Sequence, residues 1–174
     1  MVRALSLNMR NLKLVAGTVR PLATTSVNSM KRRIVAILDT NILLRYLLKD
    51  DPAQFPAALA LILGAPSRSL YVPTVIIAEI IWYFHSRVKP IPRSAIVAAL
   101  QQVLANNSIR FDPVLLNTVE RYANTNLDFA DCLLAARGVD RNLPVSSYDR
   151  GFRKFKDVVV KSPSQLLAEL GIAA

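Results

Sequence analysis

The chain has 174 residues, 52% of them hydrophobic, with 22 basic residues against 12 acidic ones and a formal charge of +10. That is the size of one ordinary domain with enough apolar content to fill a core. The apolar runs are too short or too interrupted by charge to span a membrane, and a lone cysteine, Cys132, excludes an internal disulfide and fits a reducing, cytoplasmic compartment.

The basic excess points to a polyanionic partner, without separating RNA, DNA and an acidic protein. Residues 1–33 hold seven Lys or Arg, no acid and no sustained periodicity. They are expected to form a basic, disordered extension, with residues 34–174 as the folded domain. The composition also suits an organellar transit peptide, whereas a secretory signal fits poorly because "LKLVAGTV" is a weak apolar core with Arg20 soon after it. The stretch "MKRRIVAILDTN" reads as an alternative start at Met30; without Arg3, Arg10, Lys13 and Arg20 the remainder is still basic.

"RRIVAILDT" is an unbroken apolar run ending in Asp39, which predicts a strand buried on both faces of a parallel sheet. "NILLRYLLKD" has leucines at helical spacing, and Asp50-Asp51-Pro52 breaks it and opens a second helix through "AQFPAALALIL" to Gly64. "SLYVP" predicts a short strand, followed by a helix containing "VIIAEIIWYF" and ending near Lys89-Pro90. "PRSAIVAALQQVLAN" is an amphipathic helix, "IRF" a strand and "PVLLNTVERYAN" another helix. "LDFADCLLAARGVDRN" predicts a helix with Asp128 as N-cap and Cys132, Leu133, Ala136 and Val139 on its apolar face. "LPVSSYD" and "DVVVKSP" are short strands, and "PSQLLAELG" is a terminal helix. Strands alternating with helices imply an α/β sandwich around a parallel sheet.

Four acids stand where such folds gather ligands, beyond the carboxyl ends of strands or on neighbouring helices. Asp39 ends the first strand, Asp149 follows "LPVSS", and Asp131 lies in the first turn of a helix. Glu79 has Val75, Ile76, Trp82 and Tyr83 as its neighbours three and four positions away, none of which can pair with its charge. Each acid also has a structural reading: Asp39 as a cap, Asp131 as a first-turn dipole residue, Asp149 as a turn residue, and Glu79 in solvent or beside a distant arginine.

Together "ILDTNILLRYL", the lone Glu in "VIIAEI", "DFADCLLAA" and "PVSSYDRGF" resemble the PIN domain, above all the VapC-type ribonuclease toxins of bacterial toxin–antitoxin pairs, over about residues 34–170. The resemblance implies a three-layer α/β/α sandwich with a mainly parallel central sheet. It also implies a Mg²⁺ or Mn²⁺ site formed by Asp39, Glu79, Asp131 and Asp149, which are both metal ligands and catalytic residues. Asn41 matches the "DTN" asparagine, and Ser147 stands where a Thr or Ser precedes the last acid by two positions. Asp128 is a secondary candidate. "SSYD" departs from the commoner "T-x-D" form but keeps a hydroxyl in place. The implied partners are an RNA substrate, a small antitoxin and a second copy of the chain.

The chemistry suits this set. Two carboxylates about 5 Å apart repel by roughly 3 kcal/mol at an effective dielectric of 20, so a cluster of four calls for a cation. A hard divalent ion prefers oxygen ligands and acidifies a bound water for attack on a phosphodiester. The only histidine, His85, reads as a surface residue near a helix end. In "DRGFRKFKD", Arg150, Arg153, Lys154 and Lys156 are candidate RNA contacts, with a solvated basic face as the alternative, and Phe152 and Phe155 are packing anchors. Arg45 is a further candidate for reaching substrate. An RNA-processing nuclease without antitoxin and a non-catalytic RNA-binding module are the competing readings, and retention of all four acids weighs against the second.

Overall fold

The computed structural model describes residues 33–86 and 91–172. The N-terminal extension apart from Arg33, and the helix end expected near Lys89-Pro90, lie outside the described residues. The chain runs through β1 (Ala36–Ile37), α1 (Thr40–Leu48), α2 (Phe55–Gly64) and β2 (Leu70–Val72). It continues through α3 (Thr74–Ser86), α4 (Arg93–Leu104), β3 (Ile109–Phe111), α5 (Val114–Asn124) and α6 (Phe129–Arg141). It then forms β4 (Val145–Ser146), a 3₁₀ turn (Arg150–Lys154), β5 (Val160–Lys161) and α7 (Pro163–Leu170).

Local chemistry sets the element ends. The helix expected from Ala53 starts at Phe55 because the N–H groups of Ala53 and Gln54 both donate to Asp51 Oδ1 at 2.9 Å, winding those residues into a turn. Pro56 then occupies the first helical turn, where a missing N–H is no loss. Lys49 and Asn142 close α1 and α6 in the left-handed region, with φ of 54° and 53°. A capping box opens α7: Gln165 N–H donates to Ser162 Oγ, and Ser162 N–H donates to Gln165 Oε1.

The fold is α/β, and every strand pairing is parallel, with pairs of helices crossing from β1 to β2, from β2 to β3 and from β3 to β4. Among the described residues the hydrogen bonding runs in two pieces, β1-β2-β3 and β4-β5. This corrects one expectation. Rather than being buried on both faces, β1 is a two-residue edge strand in which Ala36 is half-buried and Ile37 68% exposed, and Val35 just before it is 73% exposed. An apolar run marks a buried strand only where neighbours cover it, and here the ladder ends at β1.

The core is built from α1, α3, α4, α5 and α6 packed around the strands, with Leu43, Leu70, Ile77, Ile80, Leu100, Leu115 and Tyr122 fully buried. Cys132 is a buried core residue, and burial raises its thiol pKa. The inner face of α6 is Phe129, Cys132, Ala135 and Ala136. Val139, expected on that face, is exposed, because the helix turns it outward beyond the last buried contact. In α3 the buried stripe is Ile77, Ile80, Ile81 and Phe84. Val75, Glu79 and Trp82 form an exposed stripe opposite, so the apolar composition hides an amphipathic helix.

Candidate active site

Asp39 stands immediately beyond β1 as the N-cap of α1. The N–H groups of Asn41 and Ile42 donate to its Oδ1 at 2.5 and 3.3 Å, so the capping bonds fall on one oxygen and Oδ2 lies outside the cap. Capping and ligand roles are therefore compatible, since the cap orients the carboxylate through Oδ1 and makes no use of its second oxygen. Thr40 is buried, and its Oγ1 donates to Glu79 Oε2 at 2.5 Å, tying the end of β1 to the second turn of α3. Glu79 itself is exposed. Its partner is a hydroxyl rather than a cation, and two of its four helical neighbours, Val75 and Trp82, stay in solvent instead of holding the helix in the core.

The second group forms where α6 meets β4. Asp128 occupies the N-cap position of α6, yet its side chain makes no capping hydrogen bond, contrary to the expected cap. Its backbone has the extended conformation of a cap (φ −68°, ψ 158°), so chain geometry starts the helix without the carboxylate. Asp131 follows in the first helical turn. Beyond β4, Asp149 N–H donates to Ser147 Oγ at 2.9 Å, and Asp149 Oδ1 accepts from Gly151 N–H at 2.7 Å, starting the 3₁₀ turn. Burial first, then the carboxylates of Asp149 and Asp128, raise the Asp131 pKa above its ordinary value, against a lowering by its hydrogen bond with the Asp128 backbone. Asp128 and Asp149 thus both lie within electrostatic reach of Asp131.

The acids therefore come together as two groups, Asp39 with Glu79 through Thr40, and Asp128 with Asp131 and Asp149. Their oxygen-only donors suit a hard divalent cation, and the like charges around Asp131 make a field that a cation would relieve. Among the described residues, no three His, Cys, Asp or Glu side chains stand close enough to hold a metal ion. The fit is one of charge and donor type alone, with the acids spread wider than a closed coordination shell.

Arg150, Arg153, Lys154 and Lys156 are all exposed in and beside the 3₁₀ turn that follows Asp149, and among the described residues none forms an ion pair. Lys154 donates to Asn126 Oδ1. Phe152 and Phe155 are buried against each other edge to face, as packing anchors should be. Arg45 is committed elsewhere, with Nη1 donating to both Asp50 oxygens at 2.8 Å and Nε to Gln54, so it does not reach towards the site. His85 is exposed in the last turn of α3, with Nε2 2.9 Å from the Tyr122 hydroxyl. Asn41 is exposed beside Asp39.

Three supporting residues escaped the sequence reading. Thr40 directly follows a strand-end Asp, and that position was its only signal. Gly151 leaves room for the Asp149 turn: a Cβ there would lie 2.7 Å from Leu127 Cδ2 and 3.1 Å from Asp149 Oδ1. Arg93 donates to the carbonyls of Tyr122 and Leu127 and stacks 3.9 Å over the Tyr122 ring, fixing the segment that leads into Asp128. No sequence motif marks that long-range tie.

A parallel α/β domain with acids past the carboxyl ends of its strands belongs to the class of folds that bind ligands at that edge. The chain belongs to the PIN domain family, whose model matches residues 36–158. Among solved structures it is similar to the crystal structure of VapBC2 from Rickettsia felis bound to a DNA fragment from their promoter. The identity is 13% over 73% of this chain and 97% of that chain, with a TM-score of 0.30. No curated protein matches it.

Proposed function

We propose that the chain is a metal-dependent endoribonuclease that hydrolyses RNA phosphodiester bonds and serves as the toxin of a type II toxin–antitoxin pair. The observation that supports this reading is a PIN-family chain in which Asp131, from α6, lies within reach of Asp149, from beyond β4, with burial first and those acidic neighbours next raising its pKa. In this reading Asp39, Glu79, Asp131 and Asp149 hold Mg²⁺ or Mn²⁺. When bound, the ion supplies an acidified water and stabilises charge developing on the phosphate. Thr40 positions Glu79, Ser147 and Gly151 position Asp149, and the α1 N–H groups orient Asp39. Asn41 and Asp128 support the ligands from the rim. Arg150, Arg153, Lys154 and Lys156 hold the RNA backbone.

The functional domain spans residues 34–174, acts in the cytoplasm, pairs with a second copy and is restrained by a small antitoxin. No helix among the described residues is long and apolar enough to cross a membrane. The test is cleavage of mixed RNA by the purified full chain in Mg²⁺ or Mn²⁺ and in excess EDTA, beside Asp131→Asn. Full cleavage in EDTA, or by the variant, would sink the assignment. Rescue of growth by co-expressing a neighbouring short open reading frame separates a toxin from a processing nuclease.

A further inference from the structure

Arg121, on α5, is only 9% exposed, and taking a guanidinium out of water costs desolvation free energy. Both its fork and its flat face are used. Nε donates to Asn117 Oδ1 at 2.5 Å, Nη1 donates to Asp157 Oδ1 at 3.0 Å, and Nη2 donates to Asp157 Oδ2. Its Cζ stands 4.9 Å over the centre of the Phe155 ring. Phe155 and Asp157 belong to the segment that leaves the 3₁₀ turn, so one side chain of α5 grips that segment twice. Buried ion pairs are often replaceable by apolar residues without loss of stability. What the planar fork adds is direction: a bidentate pair fixes where its partner stands.

Short contacts carry this grip to the acids. Phe155 N–H donates to the Phe152 carbonyl at 3.0 Å and the two rings pack edge to face, so holding Phe155 holds the 3₁₀ turn. Asp149 is the N-cap of that turn and accepts from Gly151 N–H. The turn also meets the loop between α5 and α6. A Cβ at Gly151 would lie 2.7 Å from Leu127 Cδ2, and Lys154 donates to Asn126 Oδ1. Arg121 anchors this loop as well: its carbonyl accepts from Thr125 Oγ1 at 2.9 Å, and Thr125 Oγ1 accepts from Leu127 N–H at 3.4 Å. Asp128 follows Leu127 and opens α6, with Asp131 in its first turn. One stretch, residues 121–131, therefore carries Asp131 and seats the turn that Asp149 caps.

We propose that Arg121 is a positioning residue for the acid site: through Phe155 and Asp157 it clamps the Asp149 turn against the loop that opens α6, and so sets where Asp149 stands relative to Asp131. The proposal rests on the metal-dependent nuclease reading and adds the residue that fixes the spacing of two of its ligands. Arg121 itself touches neither acid, and it acts wholly through the turn and the loop. Supporting groups of this kind around metal sites typically govern affinity by 10–100-fold.

The experiment uses the full chain as wild type, Arg121→Met and Asp157→Asn. The Asp157 side chain is 55% exposed, so the second variant breaks the clamp without disturbing the core, and it decides alone if Arg121→Met does not fold. Two readouts are taken: amide hydrogen exchange without metal, and calorimetric titration with Mn²⁺. Both variants are expected to exchange the Gly151 and Phe155 N–H groups faster than wild type. Arg121→Met should weaken Mn²⁺ binding roughly tenfold, and Asp157→Asn less, in the same direction. Asp112→Asn is the control, since it breaks an Arg–Asp pair outside both segments. It should melt lower yet match wild type in exchange at those two groups and in Mn²⁺ affinity. Unchanged exchange in the variants overturns the proposal, as does Mn²⁺ affinity that they leave unaltered. An equal loss of affinity in Asp112→Asn also overturns it, because general softening would then explain the effect. Wild type that binds no Mn²⁺ sinks the nuclease reading, while faster exchange confined to the two clamp variants still upholds the hold on Asp149.

Discussion

Asp112 and Asp149 both follow the carboxyl end of a strand, β3 and β4 respectively, and they have opposite fates. Asp112 is held by the guanidinium of Arg137 from α6. Asp149 receives only the Gly151 N–H and sits within the field of Asp131. Asp39 is like Asp149, satisfied by backbone N–H groups on one oxygen. An acid with a fitted cation side chain contributes to structure, and an acid left among neutral donors and like charges is available to an external cation. A strand-end position alone does not distinguish the two cases; the partner does.

The sharpest way to break this comparison is by neutralising each kind of acid. Asp131→Asn and Asp39→Asn are expected to reduce metal-dependent RNA cleavage by more than about a hundredfold, since even supporting residues around metal sites cost 10–100-fold. Asparagine caps a helix about as well as aspartate, so Asp39→Asn should keep α1 intact by circular dichroism. Asp112→Asn should cut RNA almost as wild type does, while melting lower by about 1 kcal/mol through loss of the Arg137 pair. Equal losses of cleavage in Asp112→Asn and Asp131→Asn would erase the distinction.

A second difference should appear in metal response. At a hundredfold excess over its dissociation constant, Mn²⁺ is expected to stabilise wild type by about 2.7 kcal/mol in a thermal melt, and Asp131→Asn far less. Metal-free stability should respond to pH with opposite signs at two acids. The raised folded-state pKa of Asp131 means that the native form is penalised as pH rises past the unfolded value, and that the penalty is relieved as pH falls. Asp157 is the converse: hydrogen bonds from Arg121 lower its pKa, so its contribution is present above the unfolded pKa and lost as pH falls through the folded one. Asp131→Asn should therefore raise metal-free stability near neutral pH, and Asp157→Asn should lower it. Melts of both variants across the acidic range check the two signs.

The tie between the two strand-end helices offers a smaller test. Thr40→Val removes the donor to Glu79 and is expected to cost about 1 kcal/mol, with Thr40→Ser restoring it. Replacing Arg153, Lys154 and Lys156 with Ala should lower the salt dependence of single-strand binding, with a slope change of about 0.7 per lost phosphate contact. An unchanged slope returns the run to a solvated basic face. The smallest effect is expected from deleting residues 1–29, which should leave the melting temperature and cleavage rate unchanged. A less stable or inactive truncation would make the leader part of the domain.

Periodicity, Gly and Pro positions, and capping residues are local signals, and for that reason the elements were legible in the sequence. "IRF", "PVLLNTVERYAN" and "PSQLLAELG" became β3, α5 and α7 almost residue for residue. Three of the four candidate acids, Asp39, Asp131 and Asp149, stand out in the sequence beside a strand end or a helix start, and Glu79 stands out by having no possible partner three or four positions away. What each acid meets depends on elements far apart in sequence, and tertiary packing alone decided it. Packing gave Arg45 to Asp50, Arg137 to Asp112 and Thr40 to Glu79, and placed Asp131 near Asp149. It also left β1 at the end of its ladder among the described residues and turned the apolar side chains of Val75 and Trp82 outward. Hydropathy records what a side chain gains by burial, and only the arrangement of neighbouring elements determines whether there is a surface to bury it against.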